Sequence, residues 1–132
     1  MTDADLEACC DYWRRILRVQ DWETKIRFVS HAEMCEIAGP NTVGNVSYQN
    51  ESQRAQISIL RPDDLAAKAA YDRFAWGYDV EAVVIHELLH LHTAPLVHVL
   101  TSGSIEERFE EQLIAKLTSA FALNGPRWRD EP

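Results

Sequence analysis

Apolar positions fall at spacings of three and four from Leu6 through Cys9, Cys10, Trp13, Ile16 and Leu17. That spacing predicts a first helix over Asp3 to Val19, capped by Thr2 or Asp3. The period then changes to two. Trp22, Thr24, Ile26 and Phe28 alternate with Glu23, Lys25 and Arg27, the pattern of a half-buried strand. His31 to Thr42 contains Gly39, Pro40 and Asn41 and reads in part as loop. Val43 to Gln49 and Arg54 to Leu60 read as strands, and the short polar stretch Asn50-Glu51-Ser52-Gln53 between them suits an antiparallel hairpin. Pro62 opens a modest helix that ends near Tyr71. Asp79 caps a strongly apolar helix through Val80, Val83, Val84, Ile85, Leu88 and Leu89, whose far end Pro95 limits. After a loop to Ser104, a last helix begins with Ser104 and Glu107 as a capping box. It carries Phe109, Leu113, Ile114, Leu117, Ala120 and Phe121, and Asn124-Gly125-Pro126 stops it. Residues 126–132 are expected to form a flexible tail.

Helices interleaved with a few strands predict an α+β fold, with a small mixed or antiparallel sheet packed on helices. No internal repeat or boundary divides the 132 residues, so 1–132 reads as a single domain. The chain carries a net charge of −8, which argues against nucleic acid and against an anionic membrane surface as partners. Cys9, Cys10 and Cys35 are odd in number, and no C-x-x-C pair is present. They therefore read as core or partly buried thiols, neither a disulfide framework nor a zinc knot. The acidic start MTDADLEACCD lacks the basic and apolar regions of a signal peptide, and no apolar run is long enough to span a bilayer. A reducing, cytoplasmic setting is the expectation.

The chemistry concentrates at His86-Glu87-Leu88-Leu89-His90, within the strongly apolar helix. Residues four apart share a helical face, so both imidazoles can reach one metal ion, Zn²⁺ being the expected cofactor. Glu87 sits at the flank of that face, placed to take a proton from an activated water without itself being a ligand. A catalytic zinc site takes a third protein ligand. A histidine six residues after His90 is ruled out, because that position is Leu96. The remaining source is the acidic start of the last helix, with Glu106, Glu107, Glu110 and Glu111. If the stripe of Leu113, Ile114, Leu117 and Phe121 faces the core, Glu110 lies about 20° from its centre and Glu111 points most nearly away. Glu110 is thus the expected third ligand, with Glu106 and Glu107 as alternatives. His92 falls off the ligand face. His98, Tyr71 and Tyr78 are candidate donors to a developing oxyanion, and Trp13, Trp22, Trp76 and Trp128 read as packing residues.

VVIHELLHLH followed by EERFEEQLIAKLTSAFA resembles the small zincin-like metallopeptidases encoded by phages and prophages, and more broadly minimal gluzincins. The resemblance spans nearly the whole chain, although only the H-E-x-x-H element is highly specific. It implies the metal motif on a central helix, and a glutamate from the following helix completing the site, which maps best onto Glu110. It also implies an edge strand that binds an extended peptide, for which Arg54 to Leu60 is the expected segment. The function so implied is zinc-dependent hydrolysis of a peptide or protein substrate in the cytoplasm, the host's if the chain is phage-encoded. The alternative is a non-catalytic, zinc-stabilised domain that binds another protein. The N-E-x-x-S-D signature of larger gluzincins is absent, so the sequence does not identify the carboxylate that would orient a ligand histidine.

Overall fold

The first helix, α1 (Asp3–Ile16), starts where Thr2 and Asp5 exchange side-chain and backbone hydrogen bonds at 3.1 and 2.9 Å. Leu6, Cys9, Cys10, Trp13 and Leu17 of the predicted stripe are buried, but Ile16 is exposed and ends the helix three residues before the expected Val19. Arg18, with φ of 58°, then turns the chain toward β1 (Glu23–Val29). The computed structural model describes residues 1–64, 79–97, 103–124 and 127–128. Within them lie four α-helices and a three-stranded mixed sheet, an α+β architecture.

His31 to Ile37 forms a short helix, α2, where the sequence reading gave partial loop. Its signal was present as Ser30-x-x-Glu33, a capping box with both arms at 3.2 Å. β2 (Gly44–Gln49) and β3 (Arg54–Leu60) form the expected antiparallel hairpin, with Gly44 opposite Ile59 and Gln49 opposite Arg54. β1 pairs with the other side of β3 in parallel, from Glu23 opposite Arg54 to Val29 opposite Leu60. The order β1-β3-β2 makes β3 the central strand. The expectation that Arg54 to Leu60 forms the edge is therefore wrong. Its run of buried residues, Ile57 to Leu60, suits a strand covered on both flanks. The exposed edge nearest the metal motif belongs to β2. Beyond β3, Pro62–Asp64 makes one 3₁₀ turn, and the rest of the helix predicted to Tyr71 lies outside the described residues, as do Tyr71, Trp76, Tyr78 and His98.

α3 (Val80–Val97) is capped by Asp79, whose Oδ1 accepts from the Ala82 N–H at 3.3 Å. Ala82, Val83, Val84, Ile85, Leu88, Leu89, Leu91 and Ala94 are all buried, so this helix is apolar nearly all round and forms the centre of the core. It runs two residues past Pro95, where the sequence reading ended it. Proline's missing N–H removes one helical bond there, and the helix stops soon after.

The last helix, α4 (Ile105–Asn124), begins at the predicted Ser104 cap, with the Glu107 N–H donating to Ser104 Oγ at 3.2 Å. Its inner face is not the expected one. Glu110, Ile114, Thr118 and Ala122 form the buried row, while Ile105 and Phe109 are each 65% exposed and Leu113 and Leu117 also face outward. The helix is thus turned about 80° from the rotation that the larger apolar residues imply. Thr118 is fully buried and satisfies its hydroxyl on Ile114 C=O at 2.7 Å, so a small polar residue and Ala122 occupy the seam against α3.

Within the expected tail, Arg127 and Trp128 are held in place. Arg127 donates to Asp79 Oδ1 and Oδ2 at 2.9 and 2.7 Å, to Glu81 Oε1 at 2.5 Å and to Ala122 C=O at 2.8 Å. The Trp128 N–H and Trp13 Nε1 complete the shell of the buried Glu81 carboxylate. Arg127 therefore ties the start of α3 to the end of α4. Arg127→Ala is expected to cost about 2–3 kcal/mol in chemical denaturation, below the usual figure for a broken buried pair because the guanidinium keeps some solvent contact. A loss under about 0.5 kcal/mol would class the contact with ordinary surface pairs.

The three thiols are free, as expected, with Cys9 and Cys10 buried and Cys35 half-buried beside His31. Burial pushes the Cys9 thiol far above its ordinary value, and raises Cys10 to about 11. A disulfide-exchange reagent at neutral pH should therefore react promptly with Cys35 alone, and with all three thiols after denaturation. Three fast thiols in native protein would contradict this packing.

Candidate metal centre

Three elements meet at one open cleft of about 370 Å³. α3 supplies His86, Glu87 and His90; α4 supplies Glu107, Glu110 and Glu111; and β2 supplies the wall from Gly44 to Tyr48. The two imidazoles stack edge to face with centroids 5.2 Å apart, as their spacing on one helical face requires.

The carboxylate facing both Nε2 atoms is Glu111. Its Oε2 lies 3.6 Å from His86 Nε2 and its Oε1 lies 3.3 Å from His90 Nε2. Glu110, the expected ligand, instead meets the opposite nitrogen of the same ring, with Oε1 2.7 Å from His90 Nδ1. It also accepts from Thr93 Oγ1 at 3.0 Å. The rotation of α4 is the cause. Because Leu113 and Leu117 face outward, Glu110 enters the helix seam and Glu111 comes round to the cleft. Of the alternatives, Glu107 lines the cleft and Glu106 is exposed.

Donor atoms of His86, His90 and Glu111 all lie within 4.8 Å of one another. Tetrahedral ligands about 2.0–2.1 Å from a zinc ion stand about 3.3–3.4 Å apart, so the two N···O separations are close to what a shared ion needs. The Glu110 contact also suits that role. A carboxylate on Nδ1 accepts its proton and leaves the Nε2 lone pair directed at the cleft. His86 Nδ1 is buried with no hydrogen-bond partner among the described residues.

The charged groups of the cleft shift one another. Burial pulls the His86 imidazole down, but Glu111 and Glu87 outweigh it and the net direction is up. Glu111 is held below the usual carboxylate range, chiefly by the His86 contact. Glu87 moves the other way, since burial raises its carboxyl against the pull of the two histidines. Glu87 is thus a buried carboxyl of raised proton affinity, one position from His86.

Two further residues complete the wall, and sequence reading passed over both. A Cβ on Gly44 would fall inside contact distance of Val83 Cγ1 and 2.9 Å from Glu87 Oε1, so the absence of a side chain lets β2 lie directly against Glu87. Tyr48 faces the same cleft from β2, its ring edge-on to Trp22 at 6.1 Å, and burial together with Glu110 raises its phenol. The alternation of β2 could have placed both on one face, since Gly44, Val46 and Tyr48 are two apart. His92 is not part of the site, and its Nε2 meets Leu17 C=O at 2.6 Å, against the end of α1.

No protein-family model, curated protein or solved structure matches this chain.

Proposed function

We propose that this chain is a zinc-dependent metallopeptidase of the zincin-like kind its sequence resembles, with His86, His90 and Glu111 as metal ligands and Glu87 as general base. The observation that carries the reading is the convergence of the two Nε2 atoms and the Glu111 carboxylate beside a buried glutamate in an open cleft. Bound there, zinc would supply Lewis-acid activation of water and of the scissile carbonyl. Glu87 takes the proton of the attacking water and can return it to the leaving amine. Glu110 and Thr93 hold the His90 ring in one orientation. β2, an edge strand of the sheet among the described residues, lies beside the cleft, so main-chain pairing of an extended peptide with it would bring a scissile bond to the ligand cluster.

The test is elemental analysis of purified protein, joined to digestion of a panel of unstructured protein substrates. The reading expects about one zinc per chain, and cleavage abolished by chelation and restored by zinc. A chain that binds zinc at His86, His90 and Glu111 yet cleaves none of the panel would favour the protein-binding alternative. A chain that binds no zinc would overturn both.

A further inference from the structure

The outer face of α4 carries a row of large apolar side chains that no described residue covers. Ile105, Phe109, Leu113 and Leu117 are all exposed, and each is four residues from the next. Side chains four apart form a ridge on a helix, the element that seats between the ridges of a second helix. At 100° per residue the row spans a sector of about 120°, with Ala120 near its middle and Glu111 diametrically opposite. Contiguous apolar surface of this kind on a small domain marks an interaction site.

We infer that this face pairs with a second copy of the chain, the two α4 helices running antiparallel about a two-fold axis near position 111. The row accommodates this occupant, and its flanking charges favour it. Ile105 and Leu117 stand at equal distances either side of 111, and so do Phe109 and Leu113. An antiparallel pair therefore sets Phe109 of each copy at the height of Leu113 in the other, and Ile105 at the height of Leu117. A two-fold interface needs this self-complementarity. The charges agree. The exposed residues Glu106 and Lys116 lie on the same face, again equidistant from 111. Antiparallel pairing brings each glutamate to the height of the partner's lysine, whereas parallel pairing would bring like charges together. Glu111 points away from this face, so the cleft stays open in the pair. The inference stands on the exposed row alone and does not depend on the metal reading.

Sedimentation equilibrium on the full chain, from about 1 to about 500 µM, covers the range suited to a small interface. The expected result is a reversible monomer–dimer equilibrium. Leu113→Asp, buried twice per pair, should raise the dissociation constant by about 100-fold or more. Circular dichroism would verify that the variant is folded, as it alters only an exposed position. Glu106→Lys or Lys116→Glu alone should weaken the dimer by about three- to tenfold, and the double exchange should restore it. A monomer throughout, as an intramolecular cover or a different partner would give, overturns the inference. So does a dimer indifferent to Leu113→Asp. A dimer that the double exchange fails to restore overturns the antiparallel arrangement.

Discussion

Glu87→Gln is expected to retain zinc at the wild-type level and to lose hydrolysis by about 10²–10⁴-fold. The amide is close to the carboxylate in size, and the side chain is buried between α3 and Gly44 of β2, so the local packing should survive. What disappears is the ability to accept a proton. Burial holds the Glu87 carboxyl above its ordinary range, which places its proton affinity nearer to that of the water it must deprotonate. The measurements are zinc content by elemental analysis and turnover on whichever substrate the panel identifies. A mutant that cleaves as fast as wild type would remove Glu87 from the mechanism. A mutant that loses its zinc would instead make Glu87 part of the ligand set.

The second large effect separates two adjacent, chemically identical residues. Glu111→Gln should weaken zinc binding by more than about 100-fold, because it removes a direct ligand, and Glu110→Gln by about 10–100-fold, because it disturbs only the support of His90. A competition titration against a chromophoric chelator reads both. Glu110→Gln also keeps a carbonyl that can accept from His90 Nδ1, so Glu110→Ala should be the worse of the two changes at that position. A greater loss at Glu110 than at Glu111 would restore the assignment made from the sequence and reject the geometry of the cleft. The comparison is decisive because neither glutamine changes the length of its side chain.

Much of this was legible in the residues, for identifiable reasons. The metal motif, the Asp79 and Ser104 caps and the β2–β3 hairpin each have a local cause within a few positions, and each lies where the sequence places it. The errors arose where the cause is tertiary. Strand order cannot be read from alternation, so β3 passed for an edge, and only the parallel partner β1 makes it central. The rotation of α4 was inferred from the largest apolar side chains, but the seam against α3 is filled by Ile114, Thr118 and Ala122 with Glu110. There, close approach of two helices and a partner for each buried polar atom outweigh the greater apolar area of Phe109 and Leu113. A misjudged rotation of about 80° was enough to put Glu110 in the seam and Glu111 at the two Nε2 atoms. Arg127 was read as tail because its partners, Asp79 and Glu81, lie more than 40 positions away.

The Arg127 contacts also bear on the cleft at a distance. α3 and α4 run antiparallel, joined at one end by Arg127 through Asp79, Glu81 and Ala122, and meeting near the other through His90, Glu110 and Glu111. From Ala122 to Glu111 is about 16 Å of helix at 1.5 Å per residue. The guanidinium is thus the pivot of a long lever whose far tip carries a carboxylate of the candidate metal centre. A few degrees of splay at the pivot displace that tip by roughly an ångström, as much as the whole tolerance of a well-organised site. Arg127 therefore helps set the aperture of a site to which it contributes no atom.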